Sequence, residues 1–233
     1  MDEFKQPSEN SVDAAEENQA QPAVEEPKKP LVKAKKKINS KFLTGVALFV
    51  ALEAALCLIT NYVQFGAINI NLALIPIVVG ACFYGPWIGL LLGVINGVIT
   101  IFAPATLATI AIVPAATVAA TVFVCIFKTG LAGFCAGFIY KGIVKAFKKR
   151  PSVGSFVGSV VASIAVPVIN TFTFILGSYL FFYDIYMAQY PDVTNLFFFL
   201  ITAFIGVNFL IEVVSNLVID PAVFKAVCKV AKR

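Results

Sequence analysis

Residues 68–102 read INI NLALIPIVVG ACFYGPWIGL LLGVINGVIT IF, an apolar run of 35 residues without a charge. The hydrocarbon core of a bilayer takes about 20 residues of helix, so this run is too long for one crossing. Gly85-Pro86, a turn signal, stands near its middle. The run therefore reads as a hairpin of two spans, 70–84 and 87–102. The first half is short and contains Pro76.

Four further apolar stretches flank the hairpin, at 42–62, 117–140, 153–182 and 196–219. A softer segment, 103–116, carries Pro104 and Pro114 and is apolar enough to be re-entrant. Charge parity tests the division. Basic residues collect before residue 42, between 141 and 150 (Lys141, Lys145, Lys148, Lys149, Arg150), and at the C-terminus (Lys225, Lys229, Lys232, Arg233). The positive-inside rule places all three on the cytoplasmic side. That needs an even number of spans before residue 141, which the hairpin supplies. The expectation is an all-α membrane protein in the plasma membrane, a bundle of six transmembrane helices with both termini cytoplasmic.

Composition agrees. Apolar residues make up 59% of the chain and charged ones 13%, against about 25% charged in soluble domains. Mean hydropathy is +0.88. Residues 1–40 stand apart as a charged tail rich in Glu, Lys, Gln, Pro, Ala and Ser. Such a segment buries too little apolar area to offset its ordering entropy, so disorder is expected. It has no apolar stretch of signal-peptide type, which leaves the first span to act as the insertion signal. The tail's basic block abuts that span, where it touches anionic headgroups and helps set topology. Nucleic-acid binding is a poor alternative for a block tied to a membrane surface. The organisation is then a tail at 1–40, a transmembrane domain at 41–222 and a basic C-terminus at 223–233.

Several chemistries are excluded or unsupported. The chain has no His, which removes His-based metal sites and Ser–His or Cys–His catalysis. Its five cysteines form no C-x-x-C pair, and no disulfide framework is expected. P-loop and G-x-S-x-G motifs do not occur. The chain is not expected to be an enzyme or to bind a metal.

Polar groups within spans are the candidate functional residues, because charge at bilayer depth needs a reason. Lys128 lies in the fourth span. Asn208, Glu212 and Asn216 recur every four residues in the sixth and share one helix face. Asn170 and Thr171 follow Pro167, a kink signal, in the fifth. These read equally as a ligand site and as a Lys128–Glu212 ion pair braced by amides. Asn69 and Asn71 belong to an uncharged outer loop that suits either a cover for a small ligand or an interfacial connector. Glu53, in the first span, has no assigned role. Small residues at spacings of four, where helices approach closely, form three rows: Gly85, Gly89, Gly93 and Gly97; Gly154, Gly158 and Ala162; and Ala47, Ala51 and Ala55. The glycine rows read as internal packing. The alanine row reads as internal packing or as a docking face for another membrane subunit.

Residues 70–80 (INLALIPIVVG), 84–89 (YGPWIG), 166–171 (VPVINT) and 208–212 (NFLIE), together with the alanine row, resemble the substrate-binding subunit (S component) of energy-coupling factor, or ECF, vitamin transporters. The resemblance covers about 41–222. It implies a six-helix bundle, without enzymatic activity or a cofactor of its own, that binds a small water-soluble vitamin near the outer face. The pocket would be built by the loop after the first helix and by helices four to six. It further implies an alanine face, here Ala47 and Ala51 extended by Ala55, docking on a transmembrane coupling (T) subunit. Two cytoplasmic ABC-type ATPase subunits would use the ATP. Lys128 would suit an anionic cargo such as pantothenate or a folate by charge pairing. Two rival readings stand beside it. One is a stand-alone ion-coupled secondary transporter or channel, and the other is a non-transporting membrane scaffold.

Overall fold

A computed structural model of the protein describes residues 40–62, 72–204 and 207–231. The expected tail up to residue 39, Asn69 and Asn71 lie outside the described residues, as does the side chain of Asn208. Among the described residues all regular structure is helical: α1 (Ser40–Tyr62), α2 (Leu74–Tyr84), α3 (Pro86–Ile101), α4 (Pro104–Ile112), α5 (Ala115–Ala146), α6 (Pro151–Phe181), α7 (Tyr183–Gln189), α8 (Leu196–Phe204) and α9 (Val207–Ala231).

Local chemistry sets these boundaries. Proline opens α3, α4 and α6, where its missing N–H is one the helix leaves unpaired anyway and its φ is already helical. Gly85 makes the hairpin. Its φ is +96°, a region that a Cβ disfavours. Its N–H donates to the Ala81 carbonyl at 2.9 Å, closing α2, and its carbonyl accepts from Gly89 N–H at 3.1 Å, opening α3. Pro76 does not break α2, because it stands in the first turn, where backbone N–H groups have no helical partner.

By length and composition α1, α5 and α6 can each cross a membrane, and α3 with α4 qualifies as one broken span bent by 59°. Large apolar side chains cover the outside of the bundle, among them Leu43, Leu48, Trp87, Phe172, Leu180 and Phe198. The protein is an all-α membrane protein. The short α2 has a different place from the long helices. Its 11 residues reach about 17 Å, well under the ~30 Å of a bilayer core. It is buried from Leu74 to Cys82 and packs on α1, α3, α5, α6 and α9. The main apolar core forms around it, with Phe49, Leu92, Ala132, Ala162, Val166 and Phe224.

Three boundaries depart from the sequence reading. The segment expected as a basic loop at 141–150 is largely the last turns of α5, and the connector is only 147–150. Lysines are well placed there, since cations favour a helix C-terminus and their stems lie along apolar surface. The 103–116 segment contains a helix, α4, turned away from α3. The sixth apolar stretch is divided into α8 and α9, and α9 runs on to Ala231, so the basic C-terminus is mostly helical.

The tightest packing is between α3 and α5, where glycines let the two backbones touch. A Cβ on Gly89 would collide with the Gly133 carbonyl, and one on Gly93 with that of Thr129. A Cβ on Gly137 would strike Pro86. Thr129 Oγ1 donates to the Gly93 carbonyl at 2.6 Å. The second glycine row is also internal: Gly154 and Gly158 face Phe147 and Tyr140. Gly93→Leu should force α3 and α5 apart and lower the melting temperature in detergent by about 5 °C or more. Gly142→Ala, where nothing lies within 4 Å, should leave it unchanged. Equal melting of both variants would contradict this packing.

Candidate functional site

The bundle has two chemically different ends. At one, the Lys141 ammonium lies over Gly85, where a Cβ would sit 2.9 Å from Nζ. Phe42 of α1 meets Tyr84 with ring centroids 5.3 Å apart, and Tyr140 of α5 meets Phe224 of α9 at 5.6 Å. The start of α1, the hairpin, the lysine-bearing end of α5 and the lysine-bearing end of α9 are therefore neighbours. The three basic segments that parity grouped together have their described members at this one end.

At the other end a cavity of about 260 Å³ opens between α3, α4, α5, α6 and α7. This is just under the ~300–1,000 Å³ of typical small-molecule sites. Thr100, Thr106, Thr109, Thr121, Ser178 and Tyr186 bring hydroxyls to its wall, Phe174 and Phe182 bring rings, and Lys128 brings a charge. Several hydroxyls already donate to their own helices. Thr109 Oγ1 bonds the Ala105 carbonyl at 3.0 Å, and Thr121 Oγ1 bonds that of Thr117 at 3.0 Å. Their oxygens stay open to a donor from a ligand. Lys128 Nζ rests 4.6 Å from the centroid of the Phe174 ring, a contact worth about 0.5–2 kcal/mol. The ring helps to hold the ammonium at the cavity wall.

Of the residues that the sequence singles out, Lys128 lines this cavity. Asn170, Glu212 and Asn216 do not; they belong to α6 and α9, which pack together. Asn216 Nδ2 donates to the Glu212 carbonyl at 2.8 Å. Asn170 Oδ1, Glu212 Oε1 and Asn216 Oδ1 are buried without a hydrogen-bond partner. Thr171 lies in a separate apolar cleft of about 140 Å³ with Phe172, Phe197 and Phe209. Beside the hydroxyl-lined cavity with Lys128, α6 and α9 thus hold a row of buried acceptors.

Two further polar features escape a reading of the sequence alone. Glu53 and Asn96 are both fully buried, and Asn96 Nδ2 donates to Glu53 Oε1 at 2.6 Å. Thr100, one turn further on, donates to the Asn96 carbonyl at 2.9 Å and lines the cavity. Asn61 Nδ2 reaches Cys57 Sγ at 3.3 Å on the same side of α1. A lone amide inside an apolar span is the signal that would have found Asn96. Asp220 is fully buried too, and neither of its side-chain oxygens has a partner. It continues the Asn208, Glu212, Asn216 spacing by one more step of four, but it falls just past the span boundary drawn at 219.

The inward face of α1 is Val46, Phe49, Glu53 and Cys57, all buried. Ala47, Ala51 and Ala55 are exposed on the remaining surface, among exposed Leu43, Leu48 and Leu52. The alanine row is therefore not consumed by packing within the bundle. None of the five cysteines is in a disulfide, and among the described residues no cluster of three metal-binding side chains occurs.

No curated protein and no solved structure matches the chain. The family described as ECF transporter, substrate-specific component, matches over residues 41–224. That match runs from the first turn of α1 into α9 and takes in the cavity, the glycine contacts and the exposed alanine row. The chain belongs to the substrate-specific component family of ECF transporters, as a substrate-binding membrane subunit.

Proposed function

We propose that this chain captures a small water-soluble vitamin in the hydroxyl-lined cavity and passes it to an ATP-driven import machine. The cavity carries this reading: α4 and α7 contribute to its wall, and it lies at the end away from the basic segments. By the positive-inside rule the lysine end faces the cytoplasm and the cavity faces outward. In this reading the chain passes six times between the two faces, by α1, by the segment that includes the short buried α2, by α3 with α4, by α5, by α6, and by α8 with α9, and both termini are cytoplasmic. Energy comes from two ABC-type ATPases acting through a transmembrane coupling subunit, and this chain carries no cofactor. The exposed Ala47, Ala51 and Ala55 are the docking face. Such a stripe lets a second helix approach closely, which in lipid replaces the hydrophobic effect as the driver of association.

Lys128 selects for a carboxylate or similar anion on the cargo, as pantothenate and the folates carry. In this proposal Asn69, Asn71 and Asn208 also take part in binding the cargo. Asn170, Thr171, Glu212 and Asn216, which do not line the cavity, are the remaining residues proposed to affect cargo binding, from α6 and α9. A second reading, a stand-alone ion-coupled transporter, draws on the buried unpartnered oxygens of Glu53, Glu212 and Asp220.

Reconstitution separates the two. Proteoliposomes holding the chain with a coupling subunit and ATPases should take up vitamin only with ATP. Uptake by the chain alone under an ion gradient would contradict the proposal. In the assembled system Ala51→Leu should abolish transport and co-purification of the coupling subunit while leaving vitamin binding unchanged. Lys128→Ala should weaken binding of an anionic vitamin by about 10- to 100-fold, the worth of a charged hydrogen bond. Unchanged affinity would make Lys128 a purely structural residue.

A further inference from the structure

A second cavity, larger than the one beside Lys128, lies at the other end of the bundle. It measures about 610 Å³ and lies between the start of α6 and the end of α9, at the lysine-bearing end. Its wall is mostly apolar, with Phe156, Phe224 and Cys228, and its charged members are Lys225 and Lys229. Among the described residues no acidic side chain lines it. Lys225 Nζ sits 4.6 Å over the Phe156 ring, which fixes its ammonium at the mouth. Lys229 stands one turn further along the same face. On the facing helix Ser152 and Ser155 bring hydroxyls, and α6 begins at Pro151 without a side-chain cap.

We propose that this cavity is a specific site for an anionic phospholipid. The transport reading makes no use of this cavity. Two facts on the surface point to a lipid rather than a soluble anion. The charge is paired with an apolar wall that a free phosphate would leave exposed, and the wall continues into exposed Val153 and Phe156 on α6. A phosphodiester headgroup takes the two ammonium groups and the serine hydroxyls, and an acyl chain covers the aromatic side. Basic pockets between transmembrane helices at the cytoplasmic surface hold lipid headgroups on the same principle. A lipid seated here would brace α6 against α9.

The test is native mass spectrometry of the delipidated full-length chain in neutral detergent, titrated with phosphatidylglycerol and with phosphatidylcholine of matched acyl chains. The expected result is one phosphatidylglycerol bound in preference to phosphatidylcholine. Lys225→Gln or Lys229→Gln should weaken it about fivefold each, and the double variant about thirtyfold. Lys148→Gln with Lys149→Gln, outside the cavity wall, should leave it unchanged. Equal retention of the two lipids would overturn the proposal, as would a Lys225/Lys229 double variant that binds like the parent. Displacement by inorganic phosphate would reassign the site to soluble anions. If phosphatidylglycerol bound only after Glu16, Glu17, Glu25 and Glu26 were changed to Gln, the chain's own acidic tail would be the occupant and the lipid proposal would fall.

Discussion

The contact between α3 and α5 holds the rest of the structure in place. Backbone meets backbone at Gly89 with Gly133 and at Gly93 with Thr129, an approach that any larger residue at either glycine would prevent. In a bilayer, lipid tails are as apolar as the helices, so close packing and buried hydrogen bonds supply the attraction. The Thr129 to Gly93 bond is one such contribution. Because α3 and α5 lie this close, Thr100 and Lys128 come to share one cavity wall. Beside this contact the short α2 is enclosed by α1, α3, α5, α6 and α9.

Around that contact the protein separates its tasks by position. The lysines at the C-terminal ends of α5 and α9 gather at the hairpin end, and the hydroxyl-lined cavity with Lys128 lies at the other. The first helix is divided lengthwise. One side buries Phe49, Glu53 and Cys57 against the bundle, and the other leaves an alanine row exposed. The Glu53–Asn96 bond joins α1 to the helix whose Thr100 lines the cavity. Breaking it would strand a carboxyl in an apolar interior, which is costly, so α1 is tied firmly to α3. A firm α1 suits a helix proposed to meet a partner.

Much of the architecture is legible in the sequence, for definite reasons. Gly85-Pro86 is readable because only a turn at that point keeps the lysine clusters together, and the structure puts Lys141 directly over it. The glycine rows are readable because spacing of four defines a helix face. What is not legible depends on tertiary placement. Pro104 marks a break before α4, but nothing local sets its 59° turn from α3, or carries α5 as a helix past Lys145. Amides at Asn170 and Asn216 attract attention as pocket residues, yet the observed cavity takes most of its hydroxyls from threonines, which are ordinary in membrane helices and carry no local signal. Glu53 is conspicuous, but its partner Asn96 lies 43 residues away and only the fold pairs them.

The central claim is that the cavity beside Lys128 holds a small water-soluble cargo. Mass spectrometry of solutes released from the purified chain tests it most directly. The account predicts one vitamin-sized molecule at about one per chain, absent from a Lys128→Ala preparation that still melts like the parent. A chain that is empty in repeated preparations, with no thermal shift across a panel of water-soluble vitamins, would contradict it.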